Sequence, residues 1–377
     1  MRVLCLIPAM GSAGGAQRVM AHVGTRFADR HEVTLMTWEA PRTRSFFVLP
    51  ASIEVIQSGL LGGRNWVHRA MLILARFGAI RRQVKRSRPD VVLSFMDTMN
   101  IVAIIGCIGT GIPLVISERI DPSRHRIGRW KSLLRRLLYP MADCCVVQTE
   151  RVRAYFERPP RPNLVVIPNP VTISPQQAQP AIPDRDGNFR IVAMGRLDKQ
   201  KGFDLLLDAF ARLAGDFPNW NLIIFGEGAA RDELEGRIRR HGLGARVCLP
   251  GVTADPASEF AASHIMAFPS RYEGFPNALA EGQAAGLPVV GFRTVSGVEE
   301  LVIPHTTGLL ADLDRGPAAL ADCLKELMEN PSLRIRLGKQ ARCHTERWHP
   351  ENICQRWEET VTSVAIKNKK ETHAPAQ

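Results

Sequence analysis

The segment Glu273-Gly274-Phe275-Pro276-Asn277-Ala278-Leu279-Ala280-Glu281 decides how this chain reads. It follows the strand-like run Ile265-Met266-Ala267-Phe268-Pro269-Ser270 and leads into a helix expected to open at Pro276, a residue suited to the first helical turn. A helix entered this way leaves the N–H groups of Asn277, Ala278 and Leu279 without intrahelical partners, which suits a phosphate. Two carboxylates beside a phosphate are costly unless they bind hydroxyls. Glu273 and Glu281 therefore point to sugar and ribose hydroxyls. Taken alone, a capping acid plus a surface acid is the competing reading of the pair.

Three other turns have the same strand-to-helix setting. Gly195-Arg196-Leu197-Asp198-Lys199-Gln200-Lys201-Gly202 follows the strand 190–194. Arg196 as a fork and Lys201 as a point charge suit a diphosphate and the charge of its leaving group, and a solvated charged loop is the competing reading. Gly226-Glu227-Gly228 follows Leu222-Ile223-Ile224-Phe225 and is a tight turn of a common kind. Gly11-Ser12-Ala13-Gly14-Gly15-Ala16 follows the strand 2–8. It has neither the Lys-Ser/Thr of a Walker loop nor the GxGxxG spacing, and by itself it equally suits a plain tight turn.

Short apolar runs alternate with helix-length segments from end to end, as in a parallel sheet covered on both faces. The alternation breaks at residues 172–189, rich in Pro, Gln and Asp, which read as a linker or exposed loop. The expected organisation is therefore α/β, with two doubly wound Rossmann-like domains: 1–171, then the linker 172–189, then 190–349. A final helix and tail occupy 350–377. Two such domains facing across a cleft would bring their helix N-termini around a phosphorylated ligand.

The chain has 377 residues and a net charge of +12. The charge is uneven: residues 1–170 hold 25 Lys or Arg against 11 Asp or Glu, and the remainder holds 24 against 26. Eight basic residues and no acidic one lie between Arg64 and Arg88. A second cluster comprises Arg124, Arg126, Arg129, Lys131, Arg135 and Arg136. In residues 129–139, Trp130, Leu133, Leu134, Leu137 and Leu138 form one apolar face. That face suits either an anionic bilayer or packing against a sheet. The helix from Trp66, with Met71, Leu72, Leu74, Ala75 and Ile80, is similar. Nucleic acid is disfavoured, because no reader module is present and aromatics are only 6 % of the chain. The eight cysteines form no CxxC and read as reduced thiols of a cytoplasmic protein. No apolar run approaches the ~20 residues that span a bilayer.

In their order along almost the whole chain, GSAGGAQ at 11–17, IPNPV at 167–171, GRLDKQKG at 195–202, GEG at 226–228 and EGFPNALAE at 273–281 resemble the retaining GT-B glycosyltransferases of family 4. The last segment is similar to that family's Glu-x7-Glu signature. The run Ser117-Glu118-Arg119-Ile120-Asp121-Pro122 resembles the branch that transfers hexosamine- or galactose-type sugars to polyprenyl-diphosphate-linked glycans. It stands where many members carry a histidine.

The resemblance implies a UDP-sugar donor, no permanent cofactor and no metal. Arg196 and Lys201 would contact the diphosphate, Glu273 the donor sugar and Glu281 the ribose. The backbone at Phe275, Pro276, Asn277 and Ala278 would cradle phosphate and sugar. Gly14 and Gly15 would line the phosphate end and the acceptor side, Gly226 would join the donor site as a close turn at the cleft edge, and Pro250 and Gly251 would lie near the nucleobase. Asp97, Asn100, Glu118 and Arg119 are placed toward the acceptor, a turn residue and a helix cap being the other reading of the first two. The last helix, with Trp348 and Trp357, would cross back onto the first domain. The partners implied are a lipid-linked acceptor and the anionic inner face of the cytoplasmic membrane. A nucleotide-sugar epimerase, a sugar phosphorylase and a non-catalytic basic scaffold are the competing readings.

Overall fold

The structure is a computed structural model. It describes the chain except residues 13, 63–65, 124–126, 158, 160–161 and 373–377, and at 66–70 and 369–372 it describes backbone alone. Ala13 of the glycine segment, Arg64, Arg124 and Arg126 of the basic clusters, and the extreme tail therefore lie outside the described residues, as do the side chains of Trp66 and Arg69.

The chain divides into two units, Met1–Pro170 with Pro350–Gln377, and Val171–His349. The first is built on strands β1 (Arg2–Leu6), β2 (Glu32–Thr37), β3 (Glu54–Gln57), β4 (Val91–Phe95), β5 (Leu114–Ser117), β6 (Cys144–Val147) and β7 (Leu164–Val166). They lie in the order β3-β2-β1-β4-β5-β6-β7, every pair parallel. Parallel strands buried on both faces are nearly all apolar, and β4, β5 and β6 are buried at every residue. Its helices are α1 (Gly15–Ala28), α2 (Trp66–Ser87), α3 (Asp97–Cys107), α4 (Arg129–Leu138) and α5 (Glu150–Phe156).

The second unit carries β8 (Phe189–Met194), β9 (Trp220–Phe225), β10 (Val247–Gly251), β11 (Ile265–Phe268), β12 (Val289–Phe292) and β13 (Gly308–Ala311). Their order is β10-β9-β8-β11-β12-β13, again parallel throughout. Its helices are α6 (Phe203–Leu213), α7 (Arg231–Arg240), α8 (Pro256–Ala261), α9 (Asn277–Ala284), α10 (Ser296–Leu301), α11 (Pro317–Glu329) and α12 (Pro331–Thr345). Each sheet reverses its winding once, between β1 and β4 and between β8 and β11. The carboxyl ends of strands at such a switch point are where open α/β sheets bind ligands.

The last helix, α13 (Pro350–Thr372), belongs to the first unit. Trp357 is fully buried and its ring lies 5.3 Å from Phe95 at the end of β4. Arg356 donates to the carbonyl of Val166 at 2.6 Å. Trp348, by contrast, stays in the second unit, edge-on to Phe275 at 5.9 Å.

The segment 172–189 is bound along the second unit. Ala178 N–H donates to Ala285 O, and Arg334, 1 % exposed, donates to Pro180 O while stacking over Phe189 and Trp220. Gln and Pro supply carbonyls here without apolar bulk, which is why the segment looks like a linker by composition. All eight cysteines are unpaired.

Helix α4 departs from the usual amphipathic rule that the apolar stripe is buried. Trp130 is 80 % exposed, and Leu133, Leu134 and Leu137 are exposed as well. The helix's one fully buried side chain is Arg135. Helix α2 divides lengthwise: Ile80 and Val84 are buried, whereas Met71 and Leu74 are exposed.

Candidate functional site

In the second unit, the sequence-predicted residues meet at the β8/β11 switch point. Lys201 arrives on the turn after β8 and Glu273 on the turn after β11, and Lys201 Nζ donates to Glu273 Oε1 at 2.6 Å. Glu273 is 7 % exposed. The ammonium also lies 5.4 Å from the centre of the Phe268 ring at the end of β11, which favours a cation. A charge pair this buried holds its geometry more than it adds stability.

Backbone geometry builds the turn that carries Lys201. Lys201 N–H donates to Asp198 Oδ1, and Gln200 Nε2 donates to Tyr272 O at 2.9 Å. Arg271 donates to Lys199 O at 2.7 Å and forms a two-pronged pair with Asp204. Gly202 closes the turn with φ +69°, and a Cβ there would stand 2.1 Å from the carbonyl of Pro269. The pairings of Asp204, Gln200 and Arg271 escaped the sequence reading because single polar residues, two on loops and one in the first turn of α6, carry no local signal of partners 67 to 72 residues away. Arg196 is exposed, near Asp198 at 3.3 Å and Gln200 at 3.3 Å, its guanidinium open to solvent beside the same turn.

Helix α9 opens at Asn277, one residue later than expected. Pro276 takes the capping position with no side-chain cap. The first-turn N–H groups of α9 thus end at the surface of the turn 273–276. Phe275 and Pro276 are buried, while Asn277, Ala278 and Glu281 are half-buried. Gly226 has φ +144° and its N–H donates to Gly251 O at 2.8 Å. Gly195 N–H donates to Phe225 O, so the ends of β8, β9 and β10 are tied side by side. Gly251 also has a left-handed φ, +92°.

In the first unit, the glycine segment begins α1 at Gly15, with Gly14 extended. Its shape is set by Glu39, a buried acid just after β2 that the sequence reading missed. The two carboxylate oxygens accept the N–H groups of Met10 and Gly11, each at 2.8 Å. A cavity of about 420 Å³ adjoins it, lined by Leu35, Thr37, Glu39, Arg44, Val55 and Gln57 among others.

Asn100 and Glu118, expected toward the acceptor, are instead interior. Asn100 is fully buried: it accepts from Ser94 Oγ at 2.9 Å and donates to Ser117 O and Tyr139 Oη. Tyr139 Oη in turn donates to Glu118 Oε2 at 3.0 Å, and Arg135 approaches the same oxygen at 3.7 Å. Asp97 and Arg119 keep partial exposure. Arg119 stacks 4.9 Å over Phe95 and is hydrogen-bonded to Asn169. Tyr139 and Arg135 lie on an amphipathic stretch whose apolar residues draw the eye, so nothing local marks them as the buried ones.

Burial, with Asp97 adding to it, pushes the Glu118 carboxyl up to about 7 against the pull of Arg135, the Tyr139 hydroxyl and the Arg119 amide. Burial also draws the Arg119 guanidinium down to about 9, opposed by Glu118. Glu118 releases its proton later in the folded than in the unfolded chain. The folded state therefore holds more protons between about pH 5 and 7, and this site's contribution to stability falls as pH rises through that window. Glu118→Gln keeps an acceptor for Tyr139 and removes the titration. Its stability relative to wild type is expected to improve from pH 5 to pH 8 by up to about 3 kcal/mol. Denaturant melts at both pH values measure this, and an unchanged difference would contradict the buried titration.

Among the described residues, no group of three His, Cys, Asp or Glu side chains is arranged to hold a metal ion.

Comparison with known proteins bears on the same two units. The family "Glycosyltransferase Family 4" matches residues 13–174, and "Glycosyl transferases group 1" matches residues 176–344. The chain is 26 % identical over 365 residues to the GalNAc-alpha-(1->4)-GalNAc-alpha-(1->3)-diNAcBac-PP-undecaprenol alpha-1,4-N-acetyl-D-galactosaminyltransferase of Campylobacter jejuni, covering 97 % of this chain and 99 % of that one. It is 30 % identical over 278 residues to the N-acetylgalactosamine-N,N'-diacetylbacillosaminyl-diphospho-undecaprenol 4-alpha-N-acetylgalactosaminyltransferase of the same organism, covering 71 % and 74 %. Among solved structures, Anabaena HepE in complex with UDP and glucose superposes with a TM-score of 0.77 at 21 % identity, over 96 % of this chain and 100 % of that one.

Proposed function

Since the chain belongs to glycosyltransferase family 4, with the two Rossmann-like sheets of the GT-B fold, we propose that it moves a hexose or N-acetylhexosamine from a UDP-sugar to a polyprenyl-diphosphate-linked glycan. Transfer retains the anomeric configuration and needs no metal. The observation that carries this reading is the Lys201–Glu273 contact at the β8/β11 switch point, a half-buried cation and a buried carboxylate held at 2.6 Å. A nucleotide diphosphate leaving group develops negative charge, which Lys201, Arg196 and the N-terminus of α9 would stabilise. Glu273 would accept hydrogen bonds from donor-sugar hydroxyls and Glu281 from the ribose. Attack from the same face as the departing diphosphate would keep the configuration without a second carboxylate across the ring.

The acceptor class is supported by the activities of the two Campylobacter relatives, which act on undecaprenol-diphosphate-linked glycans. The donor is supported by the UDP bound in HepE. The setting is assembly of surface polysaccharide, such as capsule or lipopolysaccharide, or of a lipid-linked oligosaccharide. The protein would work as a peripheral protein on the inner face of the cytoplasmic membrane. Among the described residues no helix is long and apolar enough to cross a membrane.

The test is a UDP-sugar panel on an undecaprenyl-diphosphate-linked acceptor, with product linkage read by NMR and each assay repeated in EDTA. The expected result is an α-linked product from an α-configured UDP-sugar, at a rate EDTA leaves unchanged. A β-linked product would remove the retaining mechanism. EDTA inhibition reversed by a divalent cation would remove metal independence, and no transfer from any UDP-sugar would remove the donor assignment.

A further inference from the structure

We propose that α4 is a membrane-inserting helix, seated in an anionic bilayer by its outward apolar stripe and pinned to the first unit by Arg135. At ~100° per residue, positions 130, 133, 134 and 137 of α4 fall within a stripe about 100° wide, and Met141 follows on the short 3-10 turn Tyr139–Met141. All five side chains are exposed: Trp130 80 %, Leu133 46 %, Leu134 41 %, Leu137 56 % and Met141 55 %. Single exposed apolar residues are ordinary, but a stripe of four on one helix with Met141 exposed just beyond it marks an interaction surface.

The helix is held with this face outward. Arg135 is 2 % exposed, donates to Tyr155 Oη at 3.1 Å, lies 5.5 and 5.8 Å from the Tyr155 and Phe156 rings and stands 3.7 Å from Glu118. Tyr139, immediately after α4, is also buried and donates to the same Glu118 oxygen. Rolling α4 to bury its leucines would expose Arg135 and strand the Glu118 carboxylate, so the interior bonds oppose the roll.

The occupant is argued from charge. Arg129 and Arg136 flank the stripe on one side and Lys131 on the other, all three exposed, and α4 has no acidic residue. An apolar stripe between two basic margins matches acyl chains beneath anionic headgroups. Trp130, with an apolar ring and one N–H, suits the boundary between them. Seated this way, α4 would hold the carboxyl end of β5, where Glu118 and Arg119 begin, at the membrane surface from which a diphosphate-linked glycan projects. This last step rests on the acceptor reading above, whereas the insertion itself does not.

The experiment is co-sedimentation of the full chain with vesicles of phosphatidylcholine alone, or with about a third phosphatidylglycerol, at low and high salt. Brominated-lipid quenching of tryptophan in wild type and Trp130→Phe accompanies it. Wild type is expected to bind the anionic vesicles, with a part of the binding that survives high salt, and to show quenching that Trp130→Phe loses. Leu133→Glu with Leu137→Glu is expected to bind at least about tenfold more weakly with unchanged melting temperature, because both sites are exposed. Lys131→Glu with Arg136→Glu should lose only the salt-sensitive part.

Wild-type affinity in the double Leu variant, or binding abolished entirely by salt, would overturn insertion. A second copy of the chain as the true occupant would appear as a dimer in the absence of lipid, and would overturn it too. Vesicle binding through α4 with no sugar transfer to a lipid-linked acceptor would leave insertion standing and remove the acceptor reading instead.

Discussion

Lys201→Ala is expected to lower UDP-sugar turnover by about 10²- to 10³-fold, the range for deleting one donor that stabilises developing negative charge. The reason is the geometry at the β8/β11 switch point: the ammonium is held at 2.6 Å from Glu273 and over the Phe268 ring, placed before the substrate arrives. Part of the effect would be structural. Glu273 is 7 % exposed, and breaking a buried pair by removing one partner costs roughly 3–5 kcal/mol. Lys201→Ala combined with Glu273→Gln separates the two contributions. The double variant should regain most of the stability, because no unpaired charge stays inside, and should remain inactive. Melting curves and steady-state kinetics on the four proteins of this cycle make the measurement. Donor kinetics in Lys201→Ala close to wild type would remove Lys201 from the donor site, and the same outcome in Glu281→Ala would remove Glu281 from the ribose.

Gly226→Ala should be among the most damaging single-methyl additions in the second unit. The backbone there has φ +144°, and a Cβ would stand 1.8 Å from the carbonyl oxygen of Gly195 and 2.9 Å from its carbon. Neither atom belongs to a flexible side chain, so the ends of β8 and β9 must separate. That would disturb both the Gly195–Phe225 and the Gly226–Gly251 hydrogen bonds. A loss of roughly 3–5 kcal/mol is expected, with a fall in melting temperature on the order of 10 °C. UDP affinity should fall with it, because the turn carrying Arg196 and Lys201 begins at Gly195. Gly215→Ala is the matched control: its Cβ would meet nothing within 4 Å, and its effect should stay within about 0.5 kcal/mol. Equal melting temperatures for the two variants would show that the strand ends tolerate separation.

The elements of the second unit's switch point were legible in the sequence because their signals are local. A buried parallel strand reads as an apolar run, and glycines at its end mark where backbone must pass closely. Gly195, Gly202 and Gly226 each occupy a position where a side chain would strike a backbone carbonyl or the side chain of Lys201. The segment 273–281 likewise states its strand, turn and helix within a few residues, and the helix start moved by one position only. The parallel sheets followed from the alternation of apolar runs with helix-length segments.

What could not be read locally was which way a surface faces and which distant group completes a pair. Glu39 is one acid at a strand end until the fold brings Met10 and Gly11 beside it. Glu118 follows β5 and Asn100 lies in the first turn of α3 after β4, where open α/β folds bind ligands, yet Tyr139 bonds both and Arg135 closes over Glu118. Residues 172–189 have a linker's composition and are nonetheless tied down by Arg334 from α12. Trp348 and Trp357 are nine residues apart in the chain and belong to different units.

Charge shows the same division. By itself the sequence determined that the first 170 residues are strongly basic and that residues 129–138 carry an apolar stripe beside cations. Periodicity fixes the angle between such residues on a helix, since that depends only on backbone geometry. It does not fix the rotation of the helix against its neighbours. Only the tertiary structure decided that Arg135 goes inward to Glu118 and Tyr155 while Trp130 and its leucines go outward. That choice depends on a phenol 20 residues away that accepts from the guanidinium, and on a buried carboxylate 17 residues away whose desolvation is tolerable only if the guanidinium joins it.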